Sequence, residues 1–289
     1  MRSRSSLRRL LAAAPLVTVL AGCGVGAEHA GAAITVADRA GALFTRESFG
    51  FHECSGVVLH TARRDLVATA AHCITGSGRG YSFAPGYADG YADGHVDGTA
   101  AGHAPFGAWK VRAVWIDPRW KRPRGTPAYD LAIVAVEPQK RGGKVVQLED
   151  VVPGATLAHT APAAGTAVTP VGYPLGKGGS TITCQTTTTL TGVSPTFACP
   201  GFIDGTSGGP WFTATTAAGA ATGGPAPGST LPVGETLRVA GLVSGLHQGG
   251  CTPEVSYAAP LGRWSDALLA RAVARRPADT VPSPPGDGC

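Results

Sequence analysis

The chain has 289 residues, of which 42 are glycine and 23 proline, a composition that favours turns over long helices. Charged residues make up 15%, against roughly 25% in an average soluble protein, which excludes a coiled coil and a charge-driven disordered chain. The net charge is +5, but Arg2, Arg4, Arg8 and Arg9 supply four of those charges before any acidic residue, so the basic excess is a terminal cluster and not a nucleic-acid-binding face.

In chain order, the arginine cluster and the apolar residues 10–21 read as a secretory signal, too short for a bilayer span of about 20 apolar residues. Leu20-Ala21-Gly22-Cys23 matches a bacterial lipobox, which predicts a signal over 1–22 and a diacylated Cys23 as the new N-terminus; the alternative is cleavage after Ala30-Gly31-Ala32. Residues 24–34 read as a spacer and 35–276 as one folded unit. Short β-branched runs follow at 56–59, 66–71, 110–116, 131–136, 167–171, 181–190 and 237–243, separated by Gly, Pro and Asp clusters, a pattern that predicts an all-β sandwich or barrel. Residues 137–143, with Pro138, Gly142 and Gly143, read as a connection between halves at about 35–140 and 141–262. The Y-A-D-G repeat around Asp89, Asp93 and Asp97 lacks the register of a calcium loop and reads as a glycine-rich surface loop; 214–235 reads as a flexible hairpin excursion. Trp264, Leu268 and Ala272 share one face of a helix over 263–276, and 277–289 reads as a flexible tail.

Three motifs carry chemistry. Thr69-Ala70-Ala71-His72-Cys73 follows a strand, Asp130-Leu131-Ala132-Ile133 opens another, and Gly205-Thr206-Ser207-Gly208-Gly209-Pro210 is a glycine-rich turn around a serine. A serine hydroxyl needs a base to become a nucleophile; His72 is the candidate base, Asp130 the group that holds its tautomer, and the backbone N–H groups of Gly205 and Ser207 the candidate oxyanion hole. No dinucleotide fingerprint, P-loop or zincin motif appears, so neither a cofactor nor a metal is expected; Cys54, His60, His72 and Cys73 lack the spacing of a zinc site.

With His52-Glu53-Cys54-Ser55-Gly56, Gly172-Tyr173-Pro174 and Gly241-Leu242-Val243-Ser244-Gly245, these motifs make the chain resemble the trypsin/chymotrypsin-like serine peptidases, closest in pattern to the bacterial glutamyl-endopeptidase and secreted actinobacterial branch. The resemblance implies two six-stranded antiparallel β-barrels with a C-terminal helix, and an exported serine endopeptidase working on polypeptides through His72, Asp130 and Ser207. It implies a Cys54–Cys73 bridge. Cys184 and Cys199, on successive strand candidates, suit a cross-strand bridge, leaving Cys251 with Cys289; Cys199 with Cys251 is the alternative. The primary pocket is expected at Gly201, Ser244, Gly245 and Glu254, with Glu254 favouring Arg or Lys substrates and His247 raising the opposite preference. Thr206 stands where mammalian relatives carry the aspartate that pairs with a freed N-terminus, so that activation route is not expected. The protein is expected to act as a monomer, extracellular or anchored to the outer face of the membrane through Cys23. Competing readings are a non-catalytic lipid-anchored binding protein on the same scaffold and an α/β-hydrolase esterase built on Gly205-Thr206-Ser207-Gly208-Gly209.

Overall fold

The structure, a computed structural model, describes residues 33–45, 52–88, 104–121, 126–175 and 181–283. The lipobox, the Y-A-D-G repeat from Asp89 onward and Cys289 lie outside the described residues.

The first half contributes β1 (Ala40–Phe44), β2 (His52–Val58), β3 (Leu66–Thr69), β4 (Ser82–Pro85), β5 (Trp109–Ile116) and β6 (Ala132–Val136). They close into an antiparallel barrel in the order β1-β2-β3-β6-β5-β4, β4 pairing back onto β1 with Ala84 opposite Ala42. Strands β1, β3 and β6 are buried along their whole length without alternation because both of their faces are covered. On β6, Ala132, Val134 and Val136 enter one core, whereas Ile133 and Ala135 enter a second that continues into the other half and the helix. A strand buried on both faces gains apolar stabilisation from every residue, and its sequence loses the period of two.

The linking segment forms a hairpin of β7 (Gln139–Arg141) and β8 (Lys144–Val146), turned by Gly142 and Gly143 at φ 53° and 77°, which a tight two-residue turn requires. The second half holds β9 (Thr156–Leu157), β10 (Ala167–Gly172), β11 (Ile182–Thr183), β12 (Thr186–Thr191), β13 (Ser194–Ala198), β14 (Pro210–Thr216), β15 (Ala221–Gly223), β16 (Glu235–Leu242) and β17 (Val255–Tyr257). Their hydrogen-bonded path runs β17-β13-β12-β10-β14-β16-β9, with β11 beside β10 and β15 beside β14. Phe197, Trp211, Val168 and Ala240 pack inside this half. The expected single strand over 181–190 breaks at Cys184, which is bridged to Cys199. The 214–235 excursion is a hairpin of β14 and β15 whose following residues are fastened: the carbonyls of Pro227 and Ser229 accept from Ala37 and Val36 N–H.

The C-terminal helix α1 (Arg263–Val273) is three residues shorter than expected. Arg275 takes a left-handed φ of 52°, Arg276 N–H donates back to Arg271 O, and Pro277 follows, a combination that ends a helix. The tail differs from the sequence expectation as well. Far from flexible throughout, residues 277–283 are pinned: Asp279 receives Ile116 N–H (2.9 Å), Lys121 Nζ (2.6 Å) and Arg271 Nη2 (3.1 Å), and Val281, 2% exposed, exchanges backbone hydrogen bonds with Gly76. A composition of Pro, Ala and Thr hides such anchoring, because one carboxylate meeting two cations supplies it. The α/β-hydrolase alternative fails here, since among the described residues the α-helix comes after the last strand and none alternates with the strands.

Candidate active site

The β3–β6 register builds the first part of the site. Thr69 pairs with Ala132 at the last rung, so the chain ends beyond it, carrying His72 and Asp130, leave the barrel side by side. His72 sits in a 3₁₀ turn (Ala71–Cys73) stapled to β2 by the Cys54–Cys73 bridge; Asp130 ends a 3₁₀ turn (Pro127–Tyr129) with Pro at its start. His72 Nδ1 and Asp130 Oδ2 are 2.7 Å apart, and His72 N–H donates to Oδ1 at 3.0 Å. Gly245 N–H donates to Oδ2 at 2.9 Å. Three hydrogen bonds therefore offset the desolvation of a carboxylate that is wholly buried. They also settle the imidazole: its Nδ1 proton faces the carboxylate, leaving the Nε2 lone pair free to take a proton.

The second half brings Ser207 on the turn that enters β14. Gly208 N–H donates to Val243 O and Val243 N–H to Gly209 O, locking this turn to the segment after β16. Gly205 (φ 89°) and Gly208 (φ 82°) have no room for a side chain: a Cβ would lie 2.5 Å from Leu175 N and 2.2 Å from Ser55 O respectively. Among the described residues the N–H groups of Gly205 and Ser207 have no acceptor. Ser207 Oγ donates to Gln248 O at 3.2 Å, and no hydrogen bond joins it to His72. Catalytic hydrogen bonds are often long or misaligned before substrate binds and tighten in the substrate complex.

His72, Asp204, Thr206 and Ser207 line one cleft of about 270 Å³ with Phe202, Ile203 and the 247–253 segment. The expected pocket residues are not in its wall. Gly201 N–H donates to Pro253 O and Cys199 N–H to Glu254 O, and Glu254 is exposed. Ser244 and Gly245 are buried, Gly245 serving Asp130 instead. His247 stands out in the structure as well: among the described residues its buried Nδ1 has no partner, its ring meets Tyr257 edge-on, and its φ is 52°. Buried unpaired polar atoms are uncommon. Thr206 is 2% exposed and spends its hydroxyl on Ile203 O.

Missed from the sequence was the support behind the turn. Ser55 is buried and bonded to both Gly205 and Ser207. His52 Nε2 donates to Tyr173 O at 2.8 Å within a cluster of Phe44, Tyr87 and Tyr173, and burial pushes the Tyr173 phenol well above its ordinary pKa, so it stays neutral. The Cys184–Cys199 bridge is present, and Cys251 is disulfide-bonded; its expected partner Cys289 is not among the described residues. Bridges of this kind fit an oxidising location outside the cytoplasm. The Cys54, His72 and Cys73 group is not a metal site, because both thiols are consumed in a disulfide.

Residues 54–223, which include His72, Asp130 and Ser207, match the model of the trypsin-like peptidase domain. The chain belongs to the trypsin-like peptidase family, whose members are serine-type enzymes acting on polypeptides. Its fold is shared with the thermostable serine protease AL20 from an extremophilic microorganism (22% identity, TM-score 0.57, covering 82% of this chain and 98% of that one). It is likewise shared with the protease Anisep from Arthrobacter nicotinovorans (23% identity, TM-score 0.56, 84% and 98%). No curated protein matches the chain.

Proposed function

We propose that the protein is an exported serine endopeptidase in which Ser207 attacks, His72 carries the proton and Asp130 supports His72. One observation carries this reading: a base oriented by a buried carboxylate opens into the same cleft as a serine whose turn presents two N–H groups without an acceptor among the described residues. Ser207 Oγ adds to the scissile carbonyl while its proton passes to His72 Nε2. The carbonyl oxygen gains the negative charge between the N–H groups of Gly205 and Ser207. When the C–N bond breaks, His72 returns the proton to the leaving amine. Water then repeats the sequence on the acyl-enzyme, releasing the acid and the free Ser207.

The same reading extends to substrate choice and location. His247 lines the cleft beside Ser207, which supports a preference for an acidic side chain before the scissile bond; Glu254, exposed and outside the wall, gives no support to a basic preference. Thr206, bonded to Ile203 O, leaves no carboxylate for an N-terminal amine, in keeping with an enzyme that needs no such pairing. The signal over residues 1–22 and Cys23 support export with a lipid anchor on the outer face of the membrane, and the protein is read as a monomer of the bacterial branch.

A panel of peptide amides varying only in the residue before the scissile bond tests both parts. Cleavage that favours Glu or Asp and disappears in Ser207→Ala is expected. A panel cleaved evenly across acidic, neutral and basic residues removes the His247 part, and no cleavage by the folded, disulfide-intact protein favours a non-catalytic binding role.

A further inference from the structure

The turn Asp204–Ser207 has all four of its carbonyls occupied. Asp204 O accepts Leu175 N–H (2.7 Å), Thr206 O accepts Gly209 N–H (2.9 Å), and the remaining two are served by one residue of the opposite half. Ser55 Oγ donates to Gly205 O at 2.9 Å, and Ser55 N–H donates to Ser207 O at 2.7 Å. A hydroxyl has a single proton, and that of Ser55 is committed, because Tyr173 N–H donates into the same oxygen at 2.9 Å. Ser55 is itself fixed: it is wholly buried on β2 and its carbonyl accepts Thr69 Oγ1 at 2.7 Å.

A trans peptide points its N–H away from its C=O. Holding Asp204 O and Thr206 O on the protein side therefore turns the N–H groups of Gly205 and Ser207 outward. Yet the plane carrying Gly205 N–H also swings about the Gly205 φ, and a glycine resists that swing less than any other residue. Besides the hold of Leu175 N–H on its own oxygen, what restrains that swing is the next plane, Gly205–Thr206, clamped at its nitrogen by Ile203 O (3.0 Å) and at its oxygen by Ser55 Oγ. We infer that Ser55 is the positioning residue of the oxyanion hole, its buried hydroxyl bridging Tyr173 N–H and Gly205 C=O so that the first half of the fold sets the direction of an N–H group in the second. This deepens the serine-peptidase reading above and rests on it. Preorganised donors gain their effect from being aimed before charge develops, so a donor free to swing loses that advantage while ground-state binding stays.

The test compares Ser55→Ala, Ser55→Gly and Ser55→Thr with the wild-type chain, each normalised to sites titrated by a fluorophosphonate, so that a partly folded variant still yields a per-site rate. Losing a whole oxyanion donor costs about 10²–10³ in kcat, so loosening one sets an expected fall of roughly 10- to 100-fold in per-site kcat for Ser55→Ala and Ser55→Gly. KM for a peptide amide is expected to change little, a peptide boronate that mimics the tetrahedral state is expected to weaken in step with kcat/KM, and Ser55→Thr is expected to recover most of the rate. A merely structural role lowers the melting temperature and the titratable fraction and moves neither the per-site kcat nor the boronate affinity. That outcome overturns the inference while leaving the wild-type enzyme active. A wild-type chain that neither titrates nor hydrolyses overturns the underlying reading instead.

Discussion

Replacing Asp130 with asparagine tests the core of the site with little change in shape. Every group aimed at this carboxylate is a donor: His72 N–H at 3.0 Å, His72 Nδ1–H at 2.7 Å and Gly245 N–H at 2.9 Å. An amide keeps one oxygen and brings two more donors. With its NH2 at the Oδ2 position it faces Gly245 N–H and drives the imidazole proton to Nε2, where His72 no longer acts as a base. With its NH2 at the Oδ1 position it faces His72 N–H. Either way one buried N–H loses its acceptor, at about 1–3 kcal/mol of stability, and the charge that stabilises the imidazolium is gone. The expected fall in kcat is about 10⁴-fold, equivalent to about 5 kcal/mol of barrier at 1.36 kcal/mol per tenfold. The assay is hydrolysis of a peptide amide per titrated site, with circular dichroism to confirm folding. An Asp130→Asn enzyme that keeps more than about a tenth of the wild-type kcat refutes the assignment, because the tautomer and the charge then matter little.

Gly205→Ala forces a methyl to within 2.5 Å of Leu175 N and 2.6 Å of Tyr173 O, both backbone atoms, so activity is expected to fall at least tenfold in protein that still folds, read as kcat per titrated site. Asp279→Ala strips the shared partner from Lys121, Arg271 and Ile116 N–H; a loss of about 3 kcal/mol is expected, seen as a melting temperature lower by roughly 6–12 °C. At Asp117 burial works to raise the carboxyl pKa, but the hydrogen bonds and charge of Arg119, with Arg271 nearby, outweigh it and hold it below the usual range. A depressed native pKa means that the unfolded chain binds the proton first, so this pair stabilises the fold above the ordinary carboxylate pKa of about 3.9 and loses its contribution as pH falls through the native value. Asp117→Asn is therefore expected to flatten the acid limb of a melting-temperature profile; an unchanged limb contradicts the pairing.

Much of the molecule was legible from residue order because the informative features are local. A strand followed by Ala-Ala-His-Cys, an Asp opening an apolar run and a glycine-rich turn around a serine each depend on neighbouring residues, and the β3–β6 register does the rest by bringing His72 beside Asp130. The short strands β9 and β17 carry no sequence signal because two or three residues have no period of their own. The support at Ser55 was invisible for a different reason: its partners lie 118 and 150 residues away, and a lone serine in a strand carries no signal of what it will meet. Charge alone does not place Glu254: its carbonyl accepts Cys199 N–H and the residue is exposed, features set by strand pairing that residue type does not reveal. The pinned tail shows the same limit, since a single aspartate distinguishes it from a loose proline-rich end.

The central claim is that one hydroxyl in the cleft is made nucleophilic by the imidazole of the opposite half. Intact-protein mass spectrometry after treatment with a fluorophosphonate, followed by peptide mapping, asks this directly. A single adduct on Ser207, lost in Ser207→Ala and strongly slowed in His72→Ala, is the predicted result. An adduct on another residue, or labelling of Ser207 at an unchanged rate without His72, contradicts it.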